Sequence, residues 1–226
     1  LRPQQRRLGR VGRLLHGLRQ NFFGRSQITA LQCLLADQTV AVVHCLGRKS
    51  PAIAHPKLIA HVVDFACLPE LPHADEVYLA LGTTIKVAGS QATFRAVDYD
   101  ASLAVAKAAM AAGAKKAGLV SAMGADVNSK VFYSRVKGEL EDALTQLPWM
   151  GLIIARPSML EGNRAALGQP TRRGEEWASA FGKLFGFLIP ANYRPIEAAA
   201  VASALLSAVP SAKGLQVLLS GVMQQR

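Results

Sequence analysis

The chain has 226 residues, half of them hydrophobic and only 18% charged, which suits one α/β domain with a sizeable core and leaves no room for a large second domain. Of the formal charge of +11, the seven arginines of residues 1–25 supply +7, which argues against a nucleic-acid-binding surface spread over the fold. No apolar run approaches the roughly 18 residues of a membrane span, so we expect a soluble, cytoplasmic protein without one.

Residues 1–23 form an Arg- and Leu-rich leader that precedes a predicted single domain at 24–226. Three interpretations remain open: a transit peptide, a basic arm that binds polyanions or a membrane surface, and a misassigned start upstream of the true domain. The spacing of Leu8, Val11, Leu15 and Leu18 places them on one helix face. We therefore expect the hydrophobic first strand of the fold to be missing from this segment.

From residue 31 the pattern alternates between short apolar runs and amphipathic stretches. The apolar runs predict strands at 39–46, 58–63, 77–81, 118–121, 151–155 and 215–220. Helices are predicted at 31–37, 93–112, 177–188 and 196–209, with a further one that begins after Asn128 or Ser129 as its N-cap. The alternation predicts a doubly wound, mostly parallel, three-layer α/β fold, with residues 159–226 on the substrate side.

Cysteine and histidine do not point to a metal. Neither residue type shows metal-ligand spacing, so we predict no metal site, and we expect the thiols to be reduced. The residues are Cys33, Cys45, Cys67, His16, His44, His55, His61 and His73.

One arrangement requires chemistry to explain it. Ser121 ends a predicted strand, and Tyr133 and Lys137 lie one turn apart on the next helix, where their side chains can meet. An ammonium beside a phenol favours the phenolate, so we expect Lys137 to lower the pKa of Tyr133 and make it a general acid/base. Ser121 can hydrogen-bond the same substrate oxygen. The alternative is that Tyr133 merely opens the buried stripe of the helix.

These residues resemble the catalytic trio of the short-chain dehydrogenase/reductase superfamily. The phrases Val120-Ser121-Ala122-Met123-Gly124, Leu81-Gly82-Thr83-Thr84 and Ala155-Arg156-Pro157-Ser158 resemble its atypical branch, and the likeness runs roughly from residue 31 to 220. Within that branch the chain looks like the small NAD(P)-binding oxidoreductases that include Tat-interacting-protein-like and epimerase-dehydratase-like members. The resemblance implies a Rossmann-like fold in which Ser121, Tyr133 and Lys137 are catalytic.

The resemblance also implies where a dinucleotide would bind. Its glycine-rich turn aligns with residues 24–30, where only Gly24 of the three glycines survives and Gln27 and Ala30 replace the others. Arg48, after the second predicted strand, favours NADP(H) over NAD(H), unless it is an ordinary solvated strand end. The complete implied cofactor-binding set is Gly24, Ser26, Arg48, Asp64, Phe65, Leu81, Gly82, Thr83, Lys137 and Pro157.

The implied function is an NADP(H)-dependent oxidoreductase acting on a small carbonyl or alcohol substrate. The degraded turn keeps a second function open, namely a non-catalytic NADPH-binding protein that regulates or docks on a partner. The sequence leaves homo-oligomerisation undecided.

Overall fold

The computed structural model describes residues 11–16, 24–158, 160–161 and 190–225. The strands are β1 (Val11–His16), β2 (Val40–Gly47), β3 (Leu58–Val62), β4 (Glu76–Leu79), β5 (Lys116–Val120), β6 (Gly151–Arg156), β7 (Leu160–Glu161), β8 (Ile196–Glu197) and β9 (Gly214–Leu219). The helices are α1 (Gly24–Ala36), α2 (Ile85–Ala88), α3 (Gln91–Arg95), α4 (Ala101–Ala111), α5 (Phe132–Thr145), α6 (Ala198–Ala208) and α7 (Ser220–Met223).

Seven strands form one parallel sheet in the order β3-β2-β1-β4-β5-β6-β9. The chain winds outward from β1 in one direction and from β4 in the other, so the order reverses between these two strands. Such a switch point leaves a crevice at the carboxyl ends of the strands. The doubly wound, three-layer α/β fold expected from the sequence is confirmed.

Helices cover both faces of this sheet. Leu31 and Leu34 of α1 pack with Val201 and Leu205 of α6 over one face. On the other face Val105 of α4 and residues of α5 pack on β4, β5 and β6. Buried β-branched and aliphatic residues dominate the central strands, as expected of a sheet that is covered on both sides.

The expectation that the first strand is missing is wrong. Residues 11–16 form β1, which pairs with β2 and β4 at the centre of the sheet, and residues 24–30, expected to be the phosphate-binding turn, lie in α1. The strand was hard to recognise because Arg13 occupies its middle. Its guanidinium is nevertheless buried, with Asp37 Oδ2 3.1 Å and Glu76 Oε2 2.9 Å away.

We call Arg13, Asp37, Glu76 and Tyr78 the amino-edge cluster, since they lie near the amino ends of β1, β2 and β4. The Tyr78 hydroxyl donates to Glu76 Oε2 at 2.7 Å. Burial, followed by the charge of Glu76, raises the pKa of Tyr78 well above its ordinary value. Because a buried cation is tolerated only when it is paired, the two carboxylates explain how an arginine enters a central strand.

The other strands agree with expectation to within two residues at each end. The predicted helix at 93–112 is present but is interrupted by a π-helical turn at Ala96–Asp100, which separates α3 from α4. The predicted helix at 177–188 lies outside the described residues, as do most of residues 1–23.

Candidate active site

The site is built at the carboxyl ends of β4 and β5. Residues 81–83 follow β4 and are buried, and the Thr83 backbone N–H donates to Asp98 Oδ2 at 2.8 Å. Asp98 belongs to the π-helical turn, in which the Ala101 N–H reaches back five residues to the Ala96 carbonyl. The extra residue of a π turn redirects side chains, and such turns recur at functional sites. Here the turn places the Asp98 carboxylate against the loop that follows β4.

Asp98 also binds Lys137 of α5. The Lys137 Nζ lies 2.6 Å from Asp98 Oδ1, and the two side chains are 3% and 0% exposed. Burial alone would lower the pKa of Lys137, but Asp98, together with Tyr133 and Glu141, outweighs burial, and the pKa is raised. The pair therefore joins three segments of chain, namely the loop after β4, the π turn and α5, in a region closed to water.

Tyr133 lies one turn before Lys137, whose Nζ is 5.9 Å from the centroid of the Tyr133 ring. The ring is partly buried, and its centroid lies 5.7 Å from that of the fully buried Phe94. Burial raises the pKa of Tyr133; Lys137 pulls it down and Asp98 pushes it up. The expectation that Lys137 lowers the pKa of Tyr133 below its ordinary value is thus wrong, because burial and Asp98 outweigh Lys137.

Ser121 directly follows β5 and is 3% exposed. Its hydroxyl donates to the carboxylate of Glu141, which lies one turn beyond Lys137 on α5. The Arg156 guanidinium at the end of β6 grips the same carboxylate, with its Nε 3.1 Å from both Glu141 oxygens. Tyr133 and Lys137 therefore lie one turn apart on α5, as the sequence predicts, while Ser121 contacts Glu141 farther along the same helix. We call Asp98, Ser121, Lys137, Glu141 and Arg156 the carboxyl-edge cluster.

The loop between Ser121 and α5 packs directly on that helix. At Gly138 an added Cβ would come within 2.4 Å of the Asp126 carbonyl carbon and the Val127 nitrogen, so this position accepts only glycine without movement. The predicted N-cap is wrong: Val131 precedes α5 without a side-chain cap, and the Ser129 hydroxyl instead accepts from the Val131 N–H. The loop is held by its own turns and by contact with the helix.

The residues expected to hold a dinucleotide surround the same crevice. Gly24 is the first residue of α1 and Ser26 lies in its first turn. Arg48, exposed, follows β2, while Asp64, exposed, and Phe65, buried, follow β3. Leu81, Gly82 and Thr83 follow β4, and the buried Pro157 follows β6.

Every described residue of this set therefore lies at the carboxyl edge, apart from Lys137, which reaches the site from α5. The segment between β1 and α1, which would approach the phosphates, is outside the described residues. The chemistry of the set fits a nicotinamide dinucleotide: a helix N-terminus and a cation for phosphates, and hydroxyls for ribose.

Sequence reasoning missed three members of the carboxyl-edge cluster. It did not predict a role for Asp98, for Glu141 or for the side chain of Arg156. A detectable signal existed for Glu141, since it continues the four-residue spacing of Tyr133 and Lys137 along one helix face. No comparable signal existed for Asp98, because the π turn that aims it inward has no sequence signature.

Two further observations concern the described residues alone. Within the described ranges, no group of three or more His, Cys, Asp or Glu side chains is placed to hold a metal ion. In the same part of the chain, no helix combines the length and hydrophobicity needed to cross a membrane.

Known structures share this fold. The chain superposes on a short-chain dehydrogenase/reductase superfamily protein from Agrobacterium tumefaciens with bound NAD at a TM-score of 0.65, with 13% identity, over 92% of this chain and 77% of that one. A UDP-N-acetylglucosamine 4-epimerase from Methanobrevibacter ruminantium gives 0.64 and 15% identity, over 92% and 76%. At such low identity these likenesses show the Rossmann-like fold alone.

Closer likenesses exist among fungal proteins, although no protein-family model matches the chain. "Protein FMP52, mitochondrial" of Lodderomyces elongisporus is 42% identical over 120 residues, which is 53% of this chain and 49% of that protein. The match thus spans about half of that relative's length. "Protein fmp52, mitochondrial" of Emericella nidulans is 31% identical over 70% of this chain and 72% of that protein, and its Aspergillus niger counterpart is 32% identical over 68% of each.

The names of these relatives contradict the cytoplasmic location expected from the sequence, since each describes its protein as mitochondrial. The extent of the Emericella nidulans and Aspergillus niger matches settles the family. The chain belongs to the FMP52 family.

Proposed function

We propose that this chain is a nicotinamide-dinucleotide-dependent oxidoreductase of the atypical short-chain dehydrogenase/reductase type, acting on a small carbonyl or alcohol substrate. The observation that carries the proposal is that Tyr133 and the buried Lys137 lie one turn apart on α5, while Ser121, at the carboxyl end of β5, is hydrogen-bonded to Glu141 on the same helix. A purely structural tyrosine at the start of a buried stripe needs neither a buried lysine one turn away nor a strand-terminal hydroxyl.

Each member of the trio has a role that its surroundings allow. Tyr133 exchanges a proton with the substrate oxygen, because its phenol, on a partly buried side chain, is the acid/base group of the trio. The Ser121 hydroxyl turns from Glu141 to that oxygen and orients it, while Arg156 keeps Glu141 paired. Lys137 uses one N–H on Asp98 and has two left for the ribose. The bound dinucleotide supplies or accepts the hydride.

We further propose that NADP(H) is preferred over NAD(H). Arg48 is exposed just beyond β2, at the edge where a 2′-phosphate would lie, and Lys49 follows it. The carboxylate that typically takes the ribose 2′-hydroxyl of NAD is absent from residues 48–50, all of which the structure describes. Solved structures of similar fold contain NAD, including the Agrobacterium tumefaciens protein, which supports a dinucleotide without deciding between the two.

The test combines binding and turnover. NADPH and NADH are titrated into the purified chain, and a panel of aldehydes and ketones is then screened with NADPH in excess. We expect NADPH to bind more tightly than NADH, and Tyr133→Phe to lower turnover by about 100-fold or more while the fold and NADPH affinity persist. Tyr193→Phe is the matched control, because Tyr193 is 63% exposed and lies outside the site.

Two outcomes would contradict the proposal. Full turnover in Tyr133→Phe would remove Tyr133 from the chemistry. Tight NADPH binding without turnover of any panel member would favour the second function, a non-catalytic NADPH-binding protein that regulates or docks on a partner.

A further inference from the structure

The ion pair between Asp98 and Lys137 bears on how the neighbouring tyrosine works. Its geometry is unusual because both groups are buried almost completely and lie within one hydrogen bond of each other. Whether their shared proton lies on the nitrogen or on the oxygen, the pair carries no net charge. Its electrostatic influence on Tyr133 is therefore that of a dipole, which is much weaker than that of a free ammonium.

We propose that Asp98 is a positioning residue that anchors Lys137 and cancels its charge at Tyr133, so that the Tyr133 hydroxyl is a proton donor in the resting site. This inference rests on the proposed function, in which Tyr133 exchanges a proton with the substrate. It assigns Tyr133 the role of general acid when a carbonyl compound is reduced. In the reverse direction Tyr133 must first lose its proton, so alcohol oxidation should require a higher pH than reduction.

The surroundings of Tyr133 support a neutral phenol. The Phe94 ring, which is fully buried, lies against it, and Phe132 packs on Phe94 with ring centroids 5.7 Å apart. Apolar walls penalise a phenolate. The direction of the Tyr133 pKa, raised by burial and by Asp98 in spite of Lys137, agrees with this geometry.

Several other charged groups on the adjoining elements are paired with one another. Glu141 on α5 is held by Arg156 of β6, and Arg95 of α3 pairs with Glu139 of α5. Arg135 lies 4.0 Å from Glu139 as well. The charges that act on Tyr133 are Lys137, which lowers its pKa, and Asp98, which opposes Lys137.

Asp98 has a second contact that a simple counter-ion would not need. Its other oxygen accepts the Thr83 N–H at 2.8 Å, so the carboxylate is fixed to the loop after β4 and cannot follow Lys137 if the lysine moves. The position of the ammonium relative to Tyr133 is consequently set by the loop that is also expected to contact the dinucleotide.

The experiment follows the titration of Tyr133 directly and requires neither cofactor nor substrate. The protein is labelled with carbon-13 at the tyrosine ring carbon that bears the hydroxyl, and its four tyrosines are followed by NMR as pH rises. Tyr133→Phe identifies the Tyr133 signal. We expect Tyr133 in the wild-type protein to titrate above the ordinary tyrosine value; a midpoint below about pH 10 would overturn the proposal.

A charge-neutral double variant, Asp98→Asn with Lys137→Met, provides the second readout. If the Asp98–Lys137 pair has no net electrostatic effect on Tyr133, removing both charges leaves the midpoint of the Tyr133 titration within about half a pH unit of wild type. A rise of about one pH unit or more would show that Lys137 acts as an uncompensated cation, which contradicts the proposal. If the double variant does not fold, the wild-type titration still decides. Failure of NADPH binding or of turnover would reject the proposed function without affecting either readout.

Discussion

Two clusters of buried charges, the amino-edge cluster and the carboxyl-edge cluster, lie at opposite ends of the strands of the same sheet. In both, the buried charges are paired with opposite charges. In the amino-edge cluster, Arg13 is 3% exposed and ion-paired with two carboxylates, and Tyr78 is 3% exposed with its hydroxyl bound to Glu76. In the carboxyl-edge cluster the charges are equally well paired, but the neighbouring Tyr133 is only partly buried. A buried ion pair is therefore not itself a sign of function. Under the proposed function, what distinguishes the carboxyl edge is the partly buried Tyr133 beside its ion pair.

The largest expected effect comes from breaking one pair at each edge. Lys137→Met and Arg13→Met each leave a buried carboxylate without its cation, so each should lower the free energy of unfolding by about 3–5 kcal/mol. Chemical denaturation measures this loss. The two variants should differ in activity. At a temperature where both are folded, Lys137→Met loses turnover and Arg13→Met retains it.

Matched double variants sharpen this difference. Arg13→Met with Glu76→Gln should recover part of the lost stability, because no carboxylate of that pair then remains buried alone. Asp98→Asn with Lys137→Met should likewise recover stability but not turnover. If Arg13→Met abolished turnover in fully folded protein, the amino-edge cluster would have a role beyond stabilising the fold. The claim that only the carboxyl-edge cluster is needed for turnover would then be wrong.

Alkaline pH should weaken both edges. Burial raises the pKa of Cys45 from 9.0 to about 12, and the pKa values of Tyr78, Tyr133 and Lys137 are also raised. These groups keep their protons to higher pH in the folded chain than in the unfolded chain, so stability is complete below about pH 9 and falls as pH rises further. Each group contributes roughly 1 kcal/mol per pH unit.

Thermal unfolding between pH 8 and pH 11 measures this loss. In Tyr78→Phe the melting temperature should fall less steeply as pH rises, since one of the groups that titrate at high pH is gone. The melting temperature at neutral pH should be affected less than this slope. A stability that stays flat across this range would show that these protons are not held more tightly in the folded state.

The carboxyl edge depends on a loop as well as on charge pairs. Gly138→Ala places a methyl group within 2.4 Å of the backbone at residues 126 and 127, so the loop must move away from α5. We expect a destabilisation of about 1–3 kcal/mol, typical of overpacking, together with a loss of turnover because Lys137 is adjacent. Ser134→Ala, on the same helix but without added volume, is the control and should change neither by as much. Unaltered stability and turnover in Gly138→Ala would mean that the loop is not fixed by this contact.

Much of this architecture is foreseeable from the sequence because burial on both faces gives central strands continuous apolar runs. The runs in β2, β5 and β6 have this form, and the trio is recognisable because helix spacing brings Tyr133 and Lys137 together. β1 was not predicted from the sequence, and the cause is physical. Its middle residue is Arg13, whose acceptability depends on Asp37 and Glu76, which lie 24 and 63 residues away in sequence.

The electrostatics of the site were unpredictable for a similar reason. The sequence shows Lys137 near Tyr133 and predicts a lowered tyrosine pKa. Only the fold shows that a π turn brings Asp98 onto Lys137 and that Phe94 shields the ring. Local spacing thus predicts which groups meet, but not which third group arrives from another helix to change the outcome.

The smallest effects come from removing one hydroxyl at each edge, and these give the cleanest comparison because no charge changes. Tyr78→Phe removes the donor to Glu76, and Ser121→Ala removes the donor to Glu141. Each should cost about 1–2 kcal/mol of stability, since the carboxylate keeps its arginine. Turnover with the best carbonyl substrate should then separate the two, falling in Ser121→Ala because the substrate oxygen loses its orienting hydroxyl and remaining near wild type in Tyr78→Phe. Equal turnover in the two variants would mean that the Ser121 hydroxyl stabilises α5 through Glu141 and does not orient the substrate.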